Sequence, residues 1–405
     1  MKVIILNDFA YVNGGASQVA IDTAIMLAEQ GVDTCLFTAV GPVDECLRYV
    51  ENLRVVCLEQ YDILNDPNRM RAVIQGVWNY TAGERLSKLL KDYDTGTTII
   101  HVHTCQKALS SSCILHAKRM GFKVIYHMHD YGIACPNLGF YNYRSRQICT
   151  KRAMSAGCLL SNCDARHYTH KIWRCVRQVV QNNIVRLPKS LDGYIAVSKF
   201  SYKLIKPYLG ENTKTRILPT PSPINTVERI AVEKNSFFVF IGRLSAEKNP
   251  LLLAQCAKDM NVPVLFIGDG IEKEKIKQVN SNAILNGWIA REKFYTELQN
   301  VRCLVFPSLC HETQGLVVQE MAAYGIPSIV SNATAASDYI EDGYNGLLFE
   351  SGNAASLVGC MDRLKDDDYA AYMGKNAFET AHANNHTKRA YLEDILELYK
   401  EILQK

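Results

Sequence analysis

Phe306-Pro307-Ser308-Leu309-Cys310-His311-Glu312-Thr313-Gln314-Gly315-Leu316-Val317-Val318-Gln319-Glu320 reads as the end of a strand, a loop, and a helix opening near Gly315. A helix N-terminus presents unpaired amides and the positive end of a dipole, which suits a phosphate group. Glu312 falls in the loop, where it can face a cleft, and Glu320 on the helix, where a carboxylate can accept two vicinal hydroxyls. Alone, the segment has an ordinary reading too: a helix-start charge followed by a solvated face residue. Its company along the chain decides.

Working outward, short β-branched runs alternate with helical patterns, the pattern of parallel α/β units. Strands are expected at Val3–Asn7, Thr34–Phe37, Arg54–Cys57, Thr98–His103, Lys123–His127 and Gly193–Val197, with helices such as Ala16–Gln30 and Arg69–Tyr93 between them. Three prolines within Leu218-Pro219-Thr220-Pro221-Ser222-Pro223 exclude helix and central strand. Alternation then restarts at Phe237–Ile241, Val264–Ile267, Ala283–Leu285, Cys303–Phe306 and Ser328–Val330. The expected fold is therefore α/β, with two doubly wound Rossmann-like domains facing across a cleft. The domains are 1–218, with an insert at 131–166, and 236–385, joined by a linker at 219–235. A C-terminal helix at 386–405 is expected to pack back on the first domain. Ligands of such sheets bind beyond the carboxyl ends of the strands.

The 405 residues, 48% hydrophobic and 21% charged, suit a globular enzyme with two cores. The first apolar run is too short for a signal peptide, and none approaches the ~20 residues that span a bilayer. The expected location is the cytoplasm, at the inner face of the membrane if the surface allows. Fourteen cysteines then read mostly as reduced thiols, small buried hydrophobes at Cys35, Cys57, Cys256 and Cys303.

A second strand–loop–helix unit holds Gly242-Arg243-Leu244 and Glu247-Lys248-Asn249, where Arg243 offers a planar fork and Lys248 a point charge to phosphate oxygens. Asn13-Gly14-Gly15 after the first strand would let a ligand approach the backbone. No Gly-x-Gly-x-x-Gly fingerprint occurs, against a dehydrogenase.

Glu312 and Glu320, eight apart and followed by Met321-Ala322-Ala323-Tyr324-Gly325-Ile326-Pro327, together with those upstream loops, resemble glycosyltransferase family 4. Ile267-Gly268-Asp269-Gly270, Asn286-Gly287-Trp288 and Asp342-Gly343-Tyr344-Asn345-Gly346 extend the resemblance in order through the second domain. It implies a GT-B fold and retaining transfer of a hexose-type sugar from a nucleoside diphosphate donor, UDP or GDP, to a glycan or lipid-diphosphate acceptor. By family habit this serves cell-surface polysaccharide synthesis, with no metal required for catalysis. On matching positions it implies that Arg243 and Lys248 bind the diphosphate, Glu312 the sugar and Glu320 the ribose. Gly242, Gly315 and Leu316 would meet the phosphates, backbone at Trp288 the base, and Gly14 and Gly15 the donor. Gln314 departs from the aromatic often found there, which bears on sugar identity. His129, after the fifth strand, matches the family's histidine near the reacting sugar, with Asp130 orienting it or acting separately.

Between the fifth and sixth strands lie Cys135, Cys149, Cys158 and Cys163. Three readings stay open there: structural zinc, paired or redox-active thiols, and plain reduced thiols. Zinc lacks the usual two-residue spacing. Residues 144–190 carry ten Lys or Arg and one acid, Asp164, a local +9 that leaves −5 for the rest of a chain of net +4. Trp173, Val176, Val180 and Ile184 form an apolar helical stripe flanked by His170, Arg174 and Arg177. With Phe140, Tyr141 and Tyr143 nearby, the 140–190 region fits peripheral contact with an anionic membrane, or equally a core helix with a solvated basic edge. Two competing functions are a nucleotide-sugar epimerase or hydrolase of the same fold, and a zinc-dependent nucleic-acid-binding protein. The second leaves Arg243, Lys248 and both glutamates unexplained, so no nucleic-acid partner is expected.

Overall fold

The computed structural model describes residues 1–221, 228–289, 291–383 and 387–404. The centre of the expected linker, Pro223 included, and the two ends of the expected C-terminal helix lie outside the described residues. The first domain contains β1 (Lys2–Phe9), β2 (Asp33–Val40), β3 (Leu53–Cys57), β4 (Thr98–Val102), β5 (Lys123–His127), a hairpin of β6 (Tyr141–Asn142) and β7 (Gln147–Ile148), β8 (Gly193–Ala196) and β9 (Lys214–Ile217). Apart from the hairpin these form one parallel sheet in the order β3-β2-β1-β4-β5-β8-β9. In the second domain, β10 (Phe237–Ile241), β11 (Val264–Ile267), β12 (Ile284–Gly287), β13 (Val301–Phe306), β14 (Ser328–Ser331) and β15 (Gly346–Phe349) form a parallel sheet in the order β12-β11-β10-β13-β14-β15. Val3, Ile4, Ile5 and Leu6 are completely buried, as a run covered on both faces must be.

In each sheet the order reverses beside the first strand, between β1 and β4 and between β10 and β13. The loops leaving these four strands therefore surround the two switch points, where open α/β sheets bind ligands. These loops carry Gly14, His103, Arg243, Lys248 and Glu312.

The expected Arg69–Tyr93 helix is two helices, Arg69–Val77 and Tyr80–Leu90. The break is at Asn79, whose side chain accepts from Ala82 N at 3.0 Å and donates to Ala108 O at 2.8 Å. An Asx cap with a tertiary partner outweighs the helical periodicity that runs through it.

The helix Lys388–Leu403 buries Tyr391, Leu392, Ile395, Leu398, Tyr399 and Ile402 among Val3, Ile5, Ile99, Ile125 and Ile195 of the first domain. At its flank Arg216 of β9 pairs with Glu401 at 2.6 Å and Glu397 at 3.5 Å. The chain thus returns after its second domain to cover the first sheet. Ile395→Ala should cost about 2–5 kcal/mol and weaken amide-exchange protection in β1 and β4. Loss of protection confined to the second domain would contradict this packing.

Candidate active site

Lys248 and Glu312 stand 64 residues apart, and the fold brings them into an ion pair between Nζ and Oε1. Ser308 Oγ donates to the same carboxylate oxygen at 2.8 Å. Lys248 ends a short 3₁₀ turn, Ala246–Lys248, after β10, and Glu312 follows β13. Burial works to lower the Lys248 pKa, but Glu312, Cys310 and the hydrogen bond to Glu312 outweigh it and leave the ammonium firmly charged. A half-buried cation paired with one carboxylate is ready for a stronger anion.

Gly315, the N-cap of the helix Leu316–Ala323, has φ 84° and ψ 50°, and a Cβ there would meet Ala336 Cβ at 2.5 Å. Glycine is required on both counts. Arg243 is exposed beside Gly242, Trp288 is exposed just past β12, and Glu320 is half-buried on the helix. Gly14 and Gly15 open the helix Gly15–Glu29 with nothing within 4 Å of an added Cβ, so their backbone is accessible.

Residues 312–314 also hold the two domains together. Tyr131 O–H donates to Glu312 O at 3.3 Å and Ser198 O–H to Thr313 O at 2.7 Å. Thr313 O–H donates to His129 O at 3.2 Å. Gln314 is buried, and its amide both accepts from Thr220 N at 3.1 Å and donates to Thr220 O at 3.2 Å. That side chain is engaged with the start of the linker.

On the first-domain side a cavity of about 640 Å³ is lined by Asp8, Lys107, His129, Asp130, Trp173 and Arg177, among others. His129 Nε2 is hydrogen-bonded to His103 Nδ1 at 3.0 Å, so His103 sets its tautomer. Asp130 accepts from Gly132 N at 2.7 Å. Asp8 accepts three backbone amides, from Lys107, Ala108 and Leu109 at 2.8–2.9 Å, and so shapes the loop after β4 that forms the cavity wall. Desolvation keeps the carboxyl pKa of both Asp8 and Asp130 raised. Sequence reasoning did not single out Asp8 or His103, although an Asp two residues from the end of a first strand and a His-x-His exit were visible signals.

The helix Tyr168–Asn183 is turned opposite to the expectation of a core helix with a solvated basic edge. Lys171, Cys175, Arg177, Gln178 and Gln181 face inward. Ile172 and Val176, each 49% exposed, face out with Val179 and Ile184. Polar partners hold the inward face: Arg174 pairs with buried Asp164 at 3.2 Å, and Arg177 donates to Gln106 O at 3.2 Å beneath the Trp173 ring. Trp173 donates to Val73 O at 3.0 Å, which joins the neighbouring helix Arg69–Val77 and its exposed Met70 and Ile74 to the same surface.

Cys135, Cys149, Cys158 and Cys163 are free thiols, and they are not gathered as a donor set. Cys158 Sγ instead takes the Lys171 ammonium at 3.5 Å. Among the described residues the donors that do converge are His101, His103 and His127.

The chain is thus a two-domain α/β protein of the GT-B type, with its candidate site where two switch points face each other. Residues 225–380 match the family model described as glycosyl transferases group 1. The chain is 27% identical over 165 residues to a GDP-mannose-dependent alpha-mannosyltransferase of Corynebacterium glutamicum, covering 40% of this chain and 39% of that one. It is 29% identical over 162 residues to a UDP-Gal:alpha-D-GlcNAc-diphosphoundecaprenol alpha-1,3-galactosyltransferase of Escherichia coli, covering 36% and 41%. The match therefore spans about two fifths of the length of these relatives. Anabaena Alr3699/HepE in complex with UDP superposes with a TM-score of 0.69 at 16% identity, over 99% of this chain and 100% of that one. The resemblance to glycosyltransferase family 4 and the GT-B fold is borne out.

His101 and His129 are held down to a pKa of about 3 by burial, and His103 and His127 well below the usual histidine range by the same cause. Above about pH 6.5 these groups are neutral in both folded and unfolded chains and add no pH dependence to stability. As pH falls from there toward 3, only the unfolded chain takes up protons, so stability drops by up to about 1.4 kcal/mol per pH unit per histidine. Urea midpoints should fall steeply between pH 6.5 and 5, and less steeply in His127→Leu. Equal slopes would contradict the assignment.

Proposed function

We propose that the chain is a retaining glycosyltransferase that moves a hexose-type sugar from a nucleoside diphosphate donor to a lipid-diphosphate or glycan acceptor. The observation that carries this is the Lys248–Glu312 pair, set at the N-terminus of the helix Leu316–Ala323 and joined through Thr313 to His129. The donor diphosphate displaces the Glu312 carboxylate from Lys248 and is held by Lys248, Arg243 and the amides at Gly315 and Leu316. Glu312, released, accepts sugar hydroxyls; Glu320 takes the ribose, and backbone at Trp288 the base. The acceptor hydroxyl attacks from the face the diphosphate leaves, and a leaving phosphate oxygen takes its proton. No carboxylate nucleophile and no catalytic metal enter. Positive charge fixed in place before the bond breaks stabilises the departing diphosphate without reorganisation. His129, neutral and oriented by His103, borders both the cavity and the sugar. Relatives named for GDP-mannose and for UDP-Gal support the donor class.

Lys248→Ala should lower kcat at least about 10²-fold, roughly 3 kcal/mol of lost transition-state stabilisation, and Glu312→Ala similarly. A mass-spectrometric screen of UDP- and GDP-sugars finds the donor. Turnover that needs no acceptor would favour the hydrolase or epimerase reading, and an inverted product anomer would exclude the retaining mechanism.

The acceptor-side surface supports a membrane location, at the inner face and in polysaccharide assembly. Exposed Ile172, Val176, Val179, Met70 and Ile74 form an apolar area beside the basic mouth of the cavity, with Arg69, Arg166 and Arg174 at the rim. Contiguous exposed apolar surface of this kind marks an interaction site. A lipid-diphosphate acceptor would enter headgroup first while its chain stays in the bilayer. No helix among the described residues is long and apolar enough to cross a membrane, so contact would be peripheral. In flotation assays the protein should rise with anionic liposomes, and Ile172→Glu with Val176→Glu should abolish this. Flotation that survives both changes would refute the assigned face.

A further inference from the structure

His101 and His103 lie two residues apart on β4 and its exit, so their side chains project to one face of the sheet, and His127 ends the adjacent strand β5. All three are at most 1% exposed. Ring centroids are 4.3 Å apart for His101–His103, 4.8 Å for His103–His127 and 5.4 Å for His101–His127. His101 uses Nδ1 to meet Tyr399 OH at 2.6 Å, and His103 uses Nδ1 to meet His129 at 3.0 Å. Both Nε2 atoms, and both ring nitrogens of His127, are buried with no hydrogen-bond partner. Leaving four such nitrogens unpaired would cost about 1–3 kcal/mol each, which calls for an occupant.

We propose that His101, His103 and His127 bind one divalent first-row transition metal ion, best met by zinc. One nitrogen from each ring already lies within 4.8 Å of the others. In a tetrahedral zinc site with bonds of about 2.0–2.1 Å, ligand nitrogens stand about 3.3 Å apart, so each ring needs to move by less than about 1 Å. Three imidazoles and no carboxylate select such an ion over magnesium or calcium. The two Nδ1 bonds act as the outer shell that fixes tautomer and orientation in metal-bound histidines and leaves Nε2 free for the ion. Because His103 also lines the cavity, the ion has a route from solvent, and the fourth position is left for water. The ion would join β4, β5 and, through Tyr399, the C-terminal helix, and it would fix the partner of His129. The donor set stands whether or not the sugar transfer proposed above is correct.

The full-length protein, stripped with a chelator, is titrated with Zn²⁺ and with Co²⁺. It is compared with His127→Leu, with His101→Gln, and with a Cys135→Ser, Cys158→Ser, Cys163→Ser variant. Elemental analysis after gel filtration should find one ion per chain in the wild type and the cysteine variant and none in either histidine variant. Cobalt should give a tetrahedral spectrum without thiolate charge transfer, and Zn²⁺ should raise Tm only in the two proteins that bind it. Stripped His127→Leu should melt no lower than the stripped wild type, since an apolar side chain replaces an unpartnered ring; this separates a lost site from a lost fold. Should that variant not fold, His101→Gln carries the same comparison. No bound ion in the wild type, an ion retained by the histidine variants, or one lost with the cysteines would overturn the proposal.

Discussion

Three residues, Glu312 to Gln314, do two jobs at once. Their backbone and side chains contact Tyr131, His129, Ser198 and Thr220 of the other half of the chain, while the Glu312 carboxylate holds Lys248. The loop has little freedom: β13 ends six residues before Glu312, and Gly315 is pressed against Ala336 at the other end. The contact between the domains and the position of the Glu312 carboxylate are therefore set by one short segment.

The first domain is organised by an unusual division of polarity. Its sheet carries a layer of neutral imidazoles over which the C-terminal helix closes, and the cavity beside them is walled by amides bonded to Asp8 and by the inward, basic face of the helix Tyr168–Asn183. Burying Arg177 and Lys171 while exposing Ile172 and Val176 costs free energy in water. That arrangement makes sense if the buried face meets an anionic group and the exposed face meets something apolar.

Much of this was legible in the sequence. The strands came from short β-branched runs, and the second-domain site from two strand–loop–helix units whose glycines and charges stand in a fixed order. What escaped did so for physical reasons. The Lys214–Ile217 edge strand is half charged, and the Gly346–Phe349 strand is short and opens with glycine, so neither shows a buried-strand run. Periodicity revealed the apolar stripe of the helix Tyr168–Asn183 but not which side faces in, because that depends on Asp164 and Gln106 arriving from elsewhere. The four insert cysteines invited a metal, yet Cys158 is engaged by the Lys171 ammonium, a partner that spacing along the chain does not reveal. The convergent donors are histidines from two strands 26 residues apart, visible as His-x-His pairs but meaningful only once β4 and β5 are known to be neighbours.

The central claim is that the Lys248–Glu312 pair is the unloaded form of a diphosphate site. A crystal structure with a nucleoside diphosphate tests it most directly. The account predicts diphosphate oxygens in hydrogen-bond contact with Lys248, Arg243 and the Leu316 amide, the Lys248–Glu312 pair opened, and the ribose on Glu320. A nucleotide seated in the first-domain cavity, with the Lys248–Glu312 pair intact, would contradict it.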